Sequence, residues 1–171
     1  MHLALAERDD FPIPNELERI FQDHSAVVFR TAYRITGNAS DAEDVLQTVF
    51  LRLIRREDST SSMLNPDSYL RRAAIHASID LLRERAKPVV PMERASDKSR
   101  PPDDAVLRDT LRRALAQLDP RQAEIFALRF LEGYSNSEIA RMLGMSQVLV
   151  AVTIHRTRAR LQKEIRKGET Q

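Results

Sequence analysis

Apolar residues recur every third or fourth position along most of the chain, with polar residues filling the opposite face, the pattern of amphipathic helices. Leu17, Ile20, Phe21, Val27, Val28, Ala32 and Ile35 trace a first helix that Gly37-Asn38 ends. Ser40 and Glu43 have the spacing of a capping box and open a second helix with Val45, Leu46, Val49, Phe50, Leu53 and Ile54 on its apolar side. The stretch REDSTSSML reads as a polar loop. Asn65-Pro66 then places a cap before a proline, the signature of a helix start, and a long helix is expected to about Lys87.

Prolines 88, 91, 101 and 102 punctuate KPVVPMERASDKSRPPDD, a polar segment suited to a flexible linker. Beyond it, Leu107, Leu111, Leu115 and Leu118 share one helical face. Asp119-Pro120 caps a further helix carrying Ile125, Phe126 and Leu128, and Gly133 ends it. The expected organisation is an acidic N-terminal tail (1–12), a helical block (13–87), a linker (88–103) and a second helical block (104–167). The fold class is all-α, two small helical domains, which only four glycines and few alternating β-branched runs support.

The richest segment is YSNSEIARMLGMSQVLVAVTIHRTRARL. Ser135 and Glu138 form a capping box with Tyr134 and Ile139 placed for a hydrophobic staple, Gly144 suits a left-handed helix end, and Ser146 can cap a new helix. Two short-linked helices of this kind make a helix-turn-helix. Ile139, Ala140, Leu143, Val150, Ile154 and Leu161 face inward, leaving Gln147, Val148, Ala151, His155 and Arg158 outward. Residues at the start of a recognition helix reach base edges and later basic ones reach phosphates. Gln147 and Val148 are therefore the candidate base readers, and Arg156, Arg158 and Arg160 the candidate phosphate contacts.

Charge sharpens this picture. The net charge is only +2, yet Glu7, Asp9, Asp10, Glu16, Glu18 and Asp23 make the front acidic, while Arg156, Arg158, Arg160, Lys163, Arg166 and Lys167 face the single acid Glu164 at the back. With no cysteine, disulfides and thiolate zinc sites are excluded, and His2, His24, His76 and His155 are too dispersed in sequence for a local metal cluster. No nucleophile-base pair or phosphate-binding glycine loop is present, so neither enzymatic activity nor a cofactor is expected. The N-terminus MHLALAERDDF lacks the pattern of a signal peptide and no apolar run reaches the length of a membrane span, which points to a cytoplasmic protein.

GNASDAEDVLQTVFLRL, YLRRAAIHASIDLLRER and LDPRQAEIFALRFLEGYSNSEIARMLGMS, taken together and in this order, resemble the sigma-70 family of bacterial transcription initiation factors, in particular its small extracytoplasmic function (ECF) group. The likeness runs from about Glu16 to Ile165. It implies that the first block is region 2 and the second is region 4, and that the partners are core RNA polymerase and promoter DNA, with an anti-sigma factor in many systems. By the same resemblance, the helix from Asp41 to Ile54 docks on the polymerase largest subunit, making Asp41, Asp44, Gln47 and Phe50 core-binding candidates. Carboxylates at 41, 43 and 44 also favour a helix N-terminus in their own right.

The resemblance further implies that the loop from Arg55 to Leu64 receives a flipped base of the minus-ten element, for which Ser59, Ser61 and Ser62 offer small hydrogen-bonding groups. The helix after it would read and melt that element, with Arg71, Arg72, Arg83, Arg85 and Lys87 on phosphates and His76 among the strand contacts. The helix-turn-helix would read the minus-thirty-five element through Gln147, Val148, Ala151, His155, Arg156 and Arg158. Two departures from the family pattern stand out. His76 occupies a position where asparagine is common and Tyr69 one where tryptophan is frequent, and Leu149-Val150-Ala151 replaces a more polar run, leaving apolar surface suited to a thymine methyl. The competing reading, a stand-alone helix-turn-helix regulator, accounts for the second block and leaves the first without a use.

Overall fold

Residues 15–55, 65–87 and 102–168 are described by a computed structural model of the chain, in which seven helices and no strand occur among the described residues. These are α1 (Asn15–Thr36), α2 (Ala39–Ile54), α3 (Pro66–Ala86), α4 (Pro102–Ala116), α5 (Pro120–Phe126, continued by a wider turn over Ala127–Leu131), α6 (Asn136–Leu143) and α7 (Gln147–Gly168). The expected tail (1–12) and almost all of the linker lie outside the described residues, and α4 already begins at Pro102.

Local chemistry sets the helix starts. Asn65 accepts from the Ser68 N–H at 3.1 Å and Asp119 from the Arg121 N–H at 2.9 Å, each followed by proline in the first turn. At α2 the expected Ser40 cap is corrected to Asn38. Gly37 turns the chain at φ +80°, Asn38 is extended, and its side chain accepts from the Asp41 N–H at 2.8 Å, so Ser40 already lies within the helix.

Packing gives the first block a core of Leu17, Val28, Ala32, Val45, Val49, Phe50, Leu53, Leu70 and Ala74 between α1, α2 and α3. The second block buries Leu115, Leu118, Ile125, Leu128, Ile139, Leu143, Val150 and Leu161. That second cluster is continuous with Ile35, Ile75, Ile79 and Leu82 of the first block, because α3 packs against both α4 and α5. The two blocks thus share an apolar seam rather than standing apart. The sequence periodicity overreached at three positions: Phe21, Ile54 and Leu107, expected on apolar faces, are exposed.

The seam is reinforced by polar anchors. Arg112 donates to the Ile35 carbonyl at 3.3 Å and its guanidinium lies over Gly37, where a Cβ would displace it. Arg83 donates to the carbonyls of Ala116 (3.2 Å) and Leu118 (2.9 Å), capping the end of α4. Leu128 and Ile79 are both buried in the continuous cluster. Leu128→Ala and Ile79→Ala are each expected to lower stability by about 2–5 kcal/mol, read from urea midpoints by circular dichroism; an Ile79→Ala variant with wild-type stability would show that the seam contributes nothing to folding.

Candidate nucleic-acid interface

The helix-turn-helix is built as its sequence spacing requires. The Ser135 hydroxyl accepts from the Glu138 N–H at 3.2 Å, and the Glu138 carboxylate accepts from the Ser135 hydroxyl at 2.7 Å and from the Ser135 N–H at 2.8 Å; the two bonds to the carboxylate hold it below its ordinary range. Gly144 ends α6 in the left-handed conformation at φ +62°, and Ser146 caps α7 by accepting from the Leu149 N–H at 3.2 Å. The chain bends by 109° between α6 and α7, within the range of this motif. Val150, Thr157 and Leu161 face inward, while Gln147, Val148, Ala151, His155, Arg156 and Arg158 are all exposed. Val148 is 74% and Leu149 50% exposed, so the head of the recognition helix presents an apolar surface beside Gln147. Arg160 also donates to the Gln117 carbonyl at 3.3 Å.

The basic helix α3 is in a different state. Arg71 donates to Glu132 and to Asp67, both at 2.7 Å. Arg72 donates to Glu124 at 2.7 Å, and His76 Nε2 lies 3.0 Å from the same carboxylate oxygen. Arg83 holds the α4 carbonyls described above. Every one of these residues, picked out by sequence as a strand contact, is thus engaged by the second block. Glu132 also takes Arg34 of α1 at 3.0 Å, and Glu124 takes Arg121 at 3.3 Å. The two carboxylate side chains are only 1% and 3% exposed. Burial alone pushes the Glu124 carboxyl up, but the hydrogen bonds from His76 and Arg72 and their charges outweigh it and hold the group at about 2.

Neither acid was among the sequence-derived candidates. The wider turn at Ala127–Leu131 is the local device that sets Glu132: the Glu132 N–H bonds the Ala127 carbonyl at 3.0 Å, and Gly133 at φ +80° then redirects the chain into the Ser135 cap. The run LRFLEG carries no composition signal for such a turn.

On α2 the four docking candidates separate. Asp44 and Gln47 are exposed. Asp41, 2% exposed, pairs with Arg85 at the far end of α3 and accepts from the Asn38 amide at 2.7 Å, and Phe50 is buried edge-on against Phe21 with ring centroids 4.8 Å apart. Asp41 and Phe50, expected among the core-binding residues, are thus turned inward on the buried side of α2 with Val45, Val49 and Leu53. Leu51 and Ile54 are exposed instead and extend the Asp44–Gln47 side of α2 at helical spacing. Leu51 is detectable in the sequence as an apolar residue out of phase with the buried stripe, whereas Ile54 follows Phe50 by four residues and is not. Ser59, Ser61 and Ser62 lie outside the described residues.

The fold first defines a class: a helical protein of two modules, one with a basic helix and an exposed stripe on its neighbour, the other a helix-turn-helix. Two family models match it, Sigma-70 region 2 over residues 20–87 and Sigma-70 region 4 over residues 108–161. The chain is 34% identical over 156 residues to the RNA polymerase sigma-E factor of Streptomyces avermitilis, covering 88% of this chain and 85% of that one. It is 30% identical over 148 residues to the ECF RNA polymerase sigma factor SigM of Mycobacterium tuberculosis, covering 84% and 74%. Among solved structures, the sigma factor RpoE of Bartonella quintana, in complex with the anti-sigma factor NepR, shares the fold with a TM-score of 0.51 at 18% identity, over 88% of this chain and 97% of that one. The chain belongs to the sigma-70 family, in its extracytoplasmic function group. No single helix among the described residues is long and apolar enough to cross a membrane.

The Glu124 carboxyl, held at about 2 against an ordinary 4.5, contributes stability that is fully present above pH 4.5 and is lost as the pH falls toward 2. At about 1.4 kcal/mol per pH unit the loss amounts to at most about 3 kcal/mol. Glu124→Gln is expected to flatten this part of the melting-temperature profile between pH 5 and pH 2, and an unchanged slope would assign the acid sensitivity to other groups.

Proposed function

We infer that the chain is an alternative sigma factor: it binds core RNA polymerase and directs it to promoters through two separate DNA-reading elements. The observation that carries this reading is the coexistence, in one chain matched by both region models, of an exposed docking stripe on α2 and an exposed recognition helix α7. A stand-alone regulator would use α6 and α7 and leave the stripe without a role.

In this reading Asp44 and Gln47 supply polar contacts to the polymerase, and Leu51 and Ile54 the apolar area that such a contact needs at its centre. Gln147 and Val148 read the minus-thirty-five element, with the apolar surface of Val148 and Leu149 suited to thymine methyl groups, and Arg156 and Arg158 hold the backbone. Arg71, Arg72, His76 and Arg83 serve the minus-ten strand. An anti-sigma factor is the protein regulator expected of this group. The chain's contribution is recognition, so no bond-making step is assigned to it.

Asp44→Ala combined with Gln47→Ala is expected to abolish co-elution with core polymerase while the melting temperature stays near that of the wild type, since exposed substitutions change stability by about 0.5 kcal/mol or less. Co-elution at wild-type strength would remove α2 as the docking face.

Base reading and backbone holding are separable by salt. Arg156→Ala or Arg158→Ala is expected to weaken binding of the holoenzyme to all promoters alike and to reduce the salt slope by about one for each phosphate no longer neutralised. Gln147→Ala is expected to change the preferred minus-thirty-five base by about 1–3 kcal/mol with the slope almost unchanged. A Gln147→Ala variant that loses affinity uniformly would mean that α7 enters the groove in another orientation.

A further inference from the structure

We propose that the head of α7 reads the 5-methyl group of pyrimidines in the major groove, so that C5 methylation of a cytosine in the element raises affinity as the thymine methyl does. The proposal rests on the reading of α7 as the minus-thirty-five helix. Its evidence is the make-up of the outermost line of that helix. Val150, Thr157 and Leu161 are buried, and the residues opposite them at one-turn spacing are Val148, Val152, His155 and Ala159, all exposed. Leu149, half exposed, widens the apolar strip beside Val148. By the helical period Arg156 and Arg158, both exposed, fall on opposite flanks of the strip, where the two phosphate backbones of a groove would lie.

Polar chemistry is scarce at the head of α7. In its first two turns, QVLVAVTI, the side chains able to hydrogen-bond a base edge are those of Gln147 and Thr153. The Thr153 hydroxyl donates to the Leu149 carbonyl at 2.8 Å, and the Ser146 oxygen just before the helix accepts from the Leu149 N–H at 3.2 Å. The surface that enters the groove first therefore offers the Gln147 amide and the branched apolar side chains of Val148, Leu149 and Val152. Valine and leucine have no group to pair with the O6 of guanine or the N4 amino group of cytosine. What they recognise in the groove is the methyl on C5 of thymine. A methylated cytosine carries that methyl at the same ring position. Selection along this strip is thus selection for a methyl group, whichever pyrimidine bears it, and Gln147 is left to read one neighbouring base by hydrogen bonds.

The test uses the full chain assembled with core polymerase. Duplexes randomised across the minus-thirty-five element are selected for binding, and the recovered duplex is remade with each thymine of the element replaced in turn by uracil, by cytosine and by 5-methylcytosine. Uracil removes the methyl alone. At one or more positions it is expected to weaken binding about three- to fivefold, the worth of one methyl-sized apolar group taken out of water. At the same positions 5-methylcytosine is expected to bind more tightly than cytosine by a similar factor, with the salt slope unchanged because no phosphate contact is altered. Val148→Ser combined with Val152→Ser, and separately Leu149→Ser, change exposed side chains and are expected to melt near the wild type. Between them they are expected to abolish the preference for thymine over uracil, whereas Gln147→Ala keeps it. Equal binding of thymine and uracil duplexes by the wild type overturns the methyl reading, as does a selected element without thymine or a preference that survives all three serine substitutions. In those cases α7 still reads the element if Gln147→Ala shifts the preferred base. Selection indifferent to every substitution on α7, Gln147 included, overturns the placement of the helix in the groove and the methyl reading with it.

Discussion

The arrangement of the molecule turns on two buried carboxylates and the cations that reach them from the other block. A carboxylate withdrawn from water must be paired, and among the described residues both ion pairs of Glu132 come from α1 and α3, while Glu124 has only Arg121 on its own helix and takes Arg72 and His76 from α3. The consequence reaches the recognition helix. Glu132 stands at the end of the widened turn, Gly133 reverses the chain directly after it, and the Ser135 cap that begins the helix-turn-helix follows two residues later. Anchoring Glu132 thus fixes where α6 starts relative to α3.

Polar and apolar parts of this contact do different work. Burial of Ile35, Ile75, Ile79 and Leu82 against the second core supplies a non-directional attraction. The ion pairs, whose desolvation offsets much of their attraction, select the register in which the faces meet. The Asp41–Arg85 pair is a contrast within the first block. It joins the start of α2 to the end of α3, two elements that share one core, and Asn38 completes its hydrogen bonding. The pair ties these two elements of the first block together.

Much of this was legible in sequence wherever the controlling interaction is local. The caps at Asn65, Asp119, Ser135 and Ser146 and the left-handed Gly144 are set within three or four residues, and the spacing of the residues shows them. The outward face of α7 follows from one helical period. The α2 start was misplaced by two residues because Asn38 and Ser40 both have side chains able to cap, and only the extended backbone at Asn38 decides between them. Asp41 and Asp44 look alike in composition and differ in phase, a distinction available from Val45 and Val49 but obscured by the general preference for acids at a helix start. The pairing of α3 with Glu124 and Glu132 was not legible at all. Its partners are 61 residues apart for Arg71 and Glu132 and 52 for Arg72 and Glu124, and no local pattern links an arginine to an acid at that distance.

That pairing also changes what the basic character of α3 means. Read alone, Arg71, Arg72 and His76 form a positive face awaiting an anion, and a face of that kind would attract any nucleic acid without regard to sequence. Paired with Glu124 and Glu132, the same side chains present little uncompensated charge while the blocks are together. The cations of α3 are thus compensated within the chain, whereas Gln147, Val148, Arg156 and Arg158 on α7 stand exposed.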